Sequence, residues 1–359
     1  MRSKFVLCLI LSQLIACGPG MKVKDAGVPV GAQAVQPTGK MFWGVNAHLP
    51  ATDTTQAVPA LDRAVEMHMS YVRLDMRWDI VEPTSRSNIQ QAGEWQVLDA
   101  SVAQAVQRGL RPLLILGAAP AWASTNGGEN GTLTAEGKTH FVEYVRAMAL
   151  RYQGQVEYFE VGNEPNLNQF WIGTTDEYID QLLLPSIQAI KSINPNLKIV
   201  GPSLSGLLSA DIKVEDFFRR LGERQTAEGK RFFDIISHHA YSDTPAGIID
   251  DLTKGRKSCY LSYCITQRES ILKILSDNGF STEPIWLDEF GWTSATDAEA
   301  EVQGQKVLET LQKLAAVPRI EAAFVYHLSD DPRIAKDYGL LKSDHTPKKS
   351  YYHLRDARP

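Results

Sequence analysis

The chain lacks the features that would direct it to nucleic acid or to a nucleotide cofactor. Its 359 residues carry 37 Lys and Arg against 42 Asp and Glu, a formal charge of −5. Cleavage after Ala16 would remove Arg2 and Lys4 and leave −7. There is no basic stripe, so neither nucleic acid nor an anionic lipid headgroup is expected as the main partner. There is no Gly-rich phosphate turn after the first strand-like segment, where Ala47-His48-Leu49-Pro50 stands instead; a dinucleotide fingerprint is excluded. His48, His239 and His327 stand singly, without the clustered Asp or His that metal ligation needs. No cofactor and no metal are expected, and no internal repeat or second domain is seen.

Long apolar runs are also missing after the first residues. Arg2 and Lys4 precede Phe5 to Ile15, an apolar stretch of secretory-signal length and too short to span a membrane. It ends in Leu14-Ile15-Ala16-Cys17, which resembles a bacterial lipobox whose Cys becomes the lipidated first residue. Residues 1–16 are therefore predicted to be a lipoprotein signal peptide. Residues 17–40 are predicted to be the lipidated Cys17 and a Gly-, Pro- and Gln-containing tether. Gly18 in place of Asp favours the outer membrane, on its periplasmic or surface face, and the anchor attaches without spanning. Cysteine is scarce, with four in all. With Cys8 removed and Cys17 lipidated, Cys259 and Cys264 remain; in an oxidising compartment they are expected to form a disulfide across a loop over 257–263.

What is present is alternation. Strand-length apolar runs fall at 41–49, 71–78, 111–117, 158–162, 198–203, 233–240, 284–289 and 322–328. Helix-length amphipathic segments lie near 55–68, 95–109, 135–152, 175–193, 213–223, 265–278, 298–316 and 347–356. In the third, Phe141, Val142, Val145, Met148, Ala149 and Tyr152 recur at helical spacing. Gly109, Gly154 and Gly279 are candidate helix stops. Eight such units predict an α/β fold, a single (β/α)8 TIM barrel over 41–359, with its site at the C-terminal strand ends. A monomer is expected.

Two glutamates stand at such ends. Glu164 follows Val161-Gly162-Asn163, and Glu289 follows Ile285-Trp286-Leu287-Asp288, 125 positions later. Two carboxylates converging from separate strands are suited to cleaving a glycosidic bond. Arg73 and Asp75 lie in the second strand, His239 and Tyr241 at the end of the sixth, and Tyr326 and His327 in the eighth. Polar residues in buried strands destabilise unless satisfied, so their concentration at one end marks a site.

Asn163-Glu164-Pro165 after the fourth strand, with Leu287-Asp288-Glu289-Phe290-Gly291 at the seventh, resembles the clan of retaining glycoside hydrolases on (β/α)8 barrels. Tyr71-Val72-Arg73-Leu74-Asp75 and Ser237-His238-His239-Ala240-Tyr241 look like its second and sixth strands. Gly44-Val45-Asn46-Ala47-His48 and Tyr338-Gly339-Leu340-Leu341 look closest to family 39-type and cellulase-like exopolysaccharide endoglycosidases. The resemblance implies Glu289 as nucleophile and Glu164 as acid/base, its carboxyl raised in pKa. Arg73 would keep Glu289 ionised or pair with Asp75. Tyr241 would orient Glu289, His239 would line the site with His238 turned to the other strand face, and Asn163 would bind a sugar hydroxyl. Asp288 is expected to face away, and Trp286 to pack between barrel and helices.

Trp122, Trp171 and Trp292 are candidate platforms for a carbohydrate partner. The clan's eighth-strand Trp is absent; Val325 stands in its expected place with Tyr326 beside it. A retaining, endo-acting β-glycosidase is expected, with an exo-acting enzyme or a non-catalytic carbohydrate-binding protein as alternatives.

Overall fold

The computed structural model describes residues 41–49, 57–84, 95–260, 263–334 and 336–357. The expected signal peptide, Cys17 and the tether lie outside them. Eight parallel strands close into a barrel: β1 (Phe42–Ala47), β2 (Tyr71–Arg77), β3 (Arg111–Gly117), β4 (Tyr158–Val161), β5 (Lys198–Ser205), β6 (Ile235–His239), β9 (Ile285–Phe290) and β10 (Ile320–Val325). Each overlaps a predicted strand, with β5 and β9 running past the predicted end and β10 starting before the predicted start. The ring runs β1-β10-β9-β6-β5-β4-β3-β2, so chain neighbours pair throughout except where an insertion separates β6 from β9.

That insertion departs from the sequence reading. After β6 come helix α8 (Pro245–Thr253) and an antiparallel hairpin, β7 (Arg256–Tyr260) with β8 (Tyr263–Arg268). The expected loop over 257–263 and the helix expected near 265 give way to strands, since Tyr263, Ile265 and Thr266 are strand formers. The helix α9 begins only at Ile271, where the Ser270 hydroxyl accepts from the Lys273 amide at 3.2 Å. Cys259 and Cys264 pair in backbone register; their side chains lie outside the described residues.

The other α-helices are α1 (Ala57–Glu66), α2 (Trp78–Val81), α3 (Trp95–Gln107), α4 (Ala135–Arg151), α5 (Thr175–Tyr178), α6 (Leu184–Ile193), α7 (Val214–Glu228), α10 (Asp297–Leu314) and α11 (Lys349–Arg355). In α4 the predicted stripe is the buried one, and Thr134 caps the first turn by accepting from the Gly137 amide at 2.9 Å. The segment expected as one helix over 175–193 contains a π turn at Ile179–Leu183. Pro185 just beyond it has no amide hydrogen to continue the ladder.

The barrel floor is an apolar plug of Tyr71, Leu113, Tyr158, Val200, Ile235, Trp286, Ala322 and Phe324. The Trp286 ring packs, tilted, at 4.8 Å from Tyr158 and 4.9 Å from Tyr71, so it points inward, opposite to expectation. A larger core fills the space between strands and helices, with Leu287 and Val325 in it.

Candidate active site

Period-2 alternation on β2 sends Tyr71, Arg73 and Asp75 into the barrel, and on β4 it sends Tyr158 and Glu160 inward. Arg73, 2% exposed, is the hub above the plug. Its Nε and Nη2 donate to the Glu160 carboxylate at 2.9 and 2.5 Å. Its Nη2 also donates to Asn163 Oδ1 at 2.8 Å, and its Nη1 to Asn46 Oδ1 at 2.9 Å and Glu289 Oε2 at 3.4 Å. Burial pushes the Glu160 carboxyl up, and the Arg73 charge opposes that. Glu160 was not among the predicted site residues, and the partner offered for Arg73, Asp75, is instead bound to His48 Nδ1 at 2.5 Å. The signal was a charged residue two before the Gly162 break in an otherwise apolar strand.

Glu289 and Asp288 both enter the barrel. On either side of β9 four of its residues face three of a neighbour: Trp286 to Glu289 lie against Ser237 to His239, and Leu287 to Phe290 against Ala323 to Val325. This extra residue breaks the alternation. Asp288, expected to face away, accepts from Ser203 Oγ at 2.9 Å and lies 3.6 Å from His239 Nε2. Tyr241 donates to Glu289 Oε1 at 2.5 Å.

Glu164 leaves β4 through a turn in which Gly162 has φ 73° and Glu164 itself φ 41°. That left-handed conformation is costly for a side-chain-bearing residue and is common at functional sites. It brings the carboxylate over the barrel, where Glu164 Oε1 lies 2.9 Å from His239 Nδ1. The same nitrogen lies 3.2 Å from Glu289 Oε2. Burial disfavours charge on His239, but Glu289, Asp288 and Glu164 outweigh it and raise its pKa to about 9. Burial also pushes Glu164 up, yet its hydrogen bond to and the charge of His239 bring it below the usual carboxylate range. The expected elevation of Glu164 is thus reversed by a cation that the sequence reading placed only as a wall. His238 turns away, 3.7 Å from Asp251 of α8, as expected.

Arg73, Asn163, Glu164 and Glu289 line a cavity of ≈ 540 Å³, together with His48, Asp75, Trp171 and Tyr326; His239 is buried behind the two glutamates. Tyr326 faces the space while Val325 is buried in the outer core, so the tyrosine occupies the platform side of the eighth barrel strand. Trp122 and Trp292 lie elsewhere. The Trp122 ring packs 5.6 Å from Trp78, and its N–H donates to the Glu82 carbonyl at 3.0 Å. Trp292 donates to the Ser242 carbonyl at 2.7 Å and borders a separate hollow under Lys306. Among the described residues no group of three His, Cys, Asp or Glu is placed to hold a metal ion.

Residues 138–304 match Glycosyl hydrolases family 39. This segment runs from α4 into α10 and contains both Glu164 and Glu289. A β-xylosidase of Geobacillus stearothermophilus is 34% identical over 84 residues, 23% of this chain and 15% of that enzyme. A family 39 glycoside hydrolase from the gut symbiont Bacteroides cellulosilyticus superposes with a TM-score of 0.64 at 23% identity, over 88% of this chain and 63% of that one. A monomeric β-xylosidase from Caulobacter crescentus gives 0.63 at 18% identity, over 88% and 67%. The chain therefore spans only part of the length of the relatives it matches. The likeness to these solved structures shows the fold, and the sequence match to family 39 covers the segment 138–304 that holds both glutamates.

Proposed function

We propose that the chain is a retaining β-glycosidase acting on a polysaccharide or oligosaccharide by double displacement. The observation that carries this reading is the shared nitrogen. One oxygen of Glu164 and one of Glu289 lie within 3.2 Å of His239 Nδ1. Their separation is thereby capped at about 6 Å, on the retaining side of the roughly 6.5–9.5 Å spacing that admits an inverting water. Glu289, held by Tyr241 and Arg73, attacks the anomeric carbon. The bond to the leaving oxygen breaks as that oxygen takes the proton held by the Glu164–His239 pair. Glu164 then deprotonates water, which displaces Glu289 from the sugar. Asn163, fixed by Arg73, faces the sugar 2-hydroxyl.

The test is Glu289→Gln, which abolishes turnover of an aryl β-glycoside while leaving the fold intact; full residual activity would refute the assignment. With Glu164→Ala, azide restores part of the rate and gives a β-glycosyl azide, whereas an α-azide would exclude retention. Endo action is the reading taken from the sequence. An exo-acting enzyme is the second reading, supported by the names of similar proteins, among them β-xylosidases and an exo-β-1,4-mannosidase; the size profile of early products separates the two.

The proposal includes export, attachment to the outer membrane through lipidated Cys17, and a monomeric catalytic domain. Cys17→Ala should move the protein from membrane to soluble fractions. It also includes a Cys259–Cys264 disulfide, for which the paired backbone register is the support. Two thiols labelled in the unreduced, unfolded protein would exclude that bond.

A further inference from the structure

We propose that the leaving-group side of the cavity is built for an apolar alcohol, so that β-glycosides of an alkyl or aromatic aglycone are preferred over the polysaccharide or oligosaccharide that the sequence suggests. The proposal rests on the reading of Glu289 as nucleophile and Glu164 as acid. In the closed ring β3 stands four strands from β9 in both directions, and β4 is next to β3. A sugar with its anomeric carbon at Glu289 and its leaving oxygen at Glu164 therefore directs its aglycone towards β3.

On that side the cavity is lined by Ile115, Ala119, Leu133, Phe170, Trp171 and Leu182. Trp78 and Phe141 pack behind, with ring centroids 5.5 Å apart. The two loops that form this wall have turned their polar groups onto one another. The Ile172 amide donates to the Asn130 carbonyl at 2.9 Å, Asn130 Nδ2 to the Asn168 carbonyl at 2.8 Å, and the Leu133 amide to Gln181 Oε1 at 2.8 Å. The Trp171 N–H is taken by the Thr174 carbonyl at 3.2 Å. The charged rim compensates itself: Arg77 donates to Glu129 at 2.6 Å and to Asp79 at 2.7 Å.

The passage from the carboxylates to this wall runs past Gly117 and Gly162. A Cβ on Gly117 would already touch Gly162 Cα at 3.6 Å, so side chains at this pair would narrow it. Apart from Glu164, Glu289, Arg73, Asn163 and the Arg77–Glu129 rim, the polar lining is His48, Asp75, Tyr326, Asp331 and Arg333, which comes from the loop after β1, from β2 and from the segment after β10. A sugar in the leaving-group position would meet carbon where its hydroxyls need partners. An apolar chain there gains roughly fourfold in affinity per buried methylene.

The experiment is calorimetric titration of the full chain carrying Glu289→Gln. The probes are methyl, hexyl and phenyl β-D-xylopyranosides and β-D-glucopyranosides, with xylobiose and cellobiose. We expect hexyl or phenyl glycosides to bind at least about tenfold tighter than the methyl glycoside of the same sugar, and the disaccharide to gain less. Leu133→Trp, or Ala119→Phe if the first lowers the melting temperature, should remove that gain. A hexyl preference over phenyl marks an aliphatic aglycone, and the reverse an aromatic one. Equal or absent binding across the series, a larger gain for the disaccharide, or a gain that survives both variants would overturn the proposal. If the apolar glycosides bind tightly but the unmutated enzyme leaves them intact, the glycosidase reading fails and the apolar subsite stands.

Discussion

The floor and the mouth of the barrel are built from the same strands, one pleat apart, with opposite chemistry. Tyr71 and Tyr158 lie in the plug, and Arg73 and Glu160, two residues further along the same strands, form a buried ion pair. Trp286 lies in the plug, and Asp288 and Glu289 stand above it. A step of two residues is roughly 6.6 Å along a strand. Over that distance the interior changes from a sealed aromatic layer to one holding Arg73, His239, Glu160, Asp288 and Glu289. The plug excludes water from below, so the charges above it act in a low-dielectric setting where each depends on its partner. Stability and chemistry are stacked, not mixed, and each layer can be broken separately.

The largest effect is expected from Glu160→Gln. It leaves the guanidinium of Arg73 buried with its main counter-charge gone, which costs about 3–5 kcal/mol of stability. It also frees the group that holds Asn163 and Glu289, so kcat should fall on the order of 10²-fold. Denaturant unfolding and steady-state kinetics check both. Glu160→Asp should recover part of the activity, and a loss of stability with kcat unchanged would show that the mouth does not depend on this pair. Trp286→Ala in the floor costs a similar 3–5 kcal/mol through cavity formation, but its pH–rate profile should match that of the unmutated enzyme. If the profile moves, the two layers are coupled and the comparison fails.

Most of the barrel was legible because its strands carry continuous apolar runs and its helices a clear 3.6 period. The errors on β9 have one origin. Setting Glu289 inward by strict alternation puts Asp288 and Trp286 outward, and the structure has all three inside. The extra residue of β9 against both neighbours permits this, and no property of Ile285 to Phe290 announces it, because a register shift belongs to the pairing of strands. Glu160 was readable by the same parity argument on β4, where alternation is unbroken. The capping role of Ser270 was locally visible, but the hairpin before it was not, because a four-residue Cys spacing suits a loop as well as two short strands. Trp122 and Trp292 lie outside the cavity lining, because position past a strand end does not show where an indole N–H finds its acceptor.

The mouth can also be broken by pH. His239 is raised to about 9 in the folded protein, above its ordinary 6.5. Its contribution to stability is therefore fully present below about 6.5 and is lost as the pH rises towards 9. Glu164 is lowered, so its contribution is present above its ordinary carboxylate value and lost in acid. As proton donor, the pair empties when His239 titrates, which sets the basic limb of activity near 9. In His239→Gln the only proton left to give is on Glu164 itself, so that limb should move down by more than one pH unit, measurable as kcat/KM against pH. An unmoved limb would mean that His239 holds no catalytic proton.

The smallest expected effect compares two tryptophans. Trp171 lines the cavity, whereas the Trp292 N–H is committed to the Ser242 carbonyl and its ring borders another hollow. Trp171→Ala should raise KM by roughly 5- to 50-fold, the range of about 1–2.3 kcal/mol for a lost aromatic contact. Trp292→Ala should leave KM within about twofold, because an indole spent on packing outside the cavity binds ground state and transition state with nothing. Equal effects of the two would mean that substrate reaches across the β9 loop, extending the polar mouth beyond the barrel and away from the apolar wall opposite.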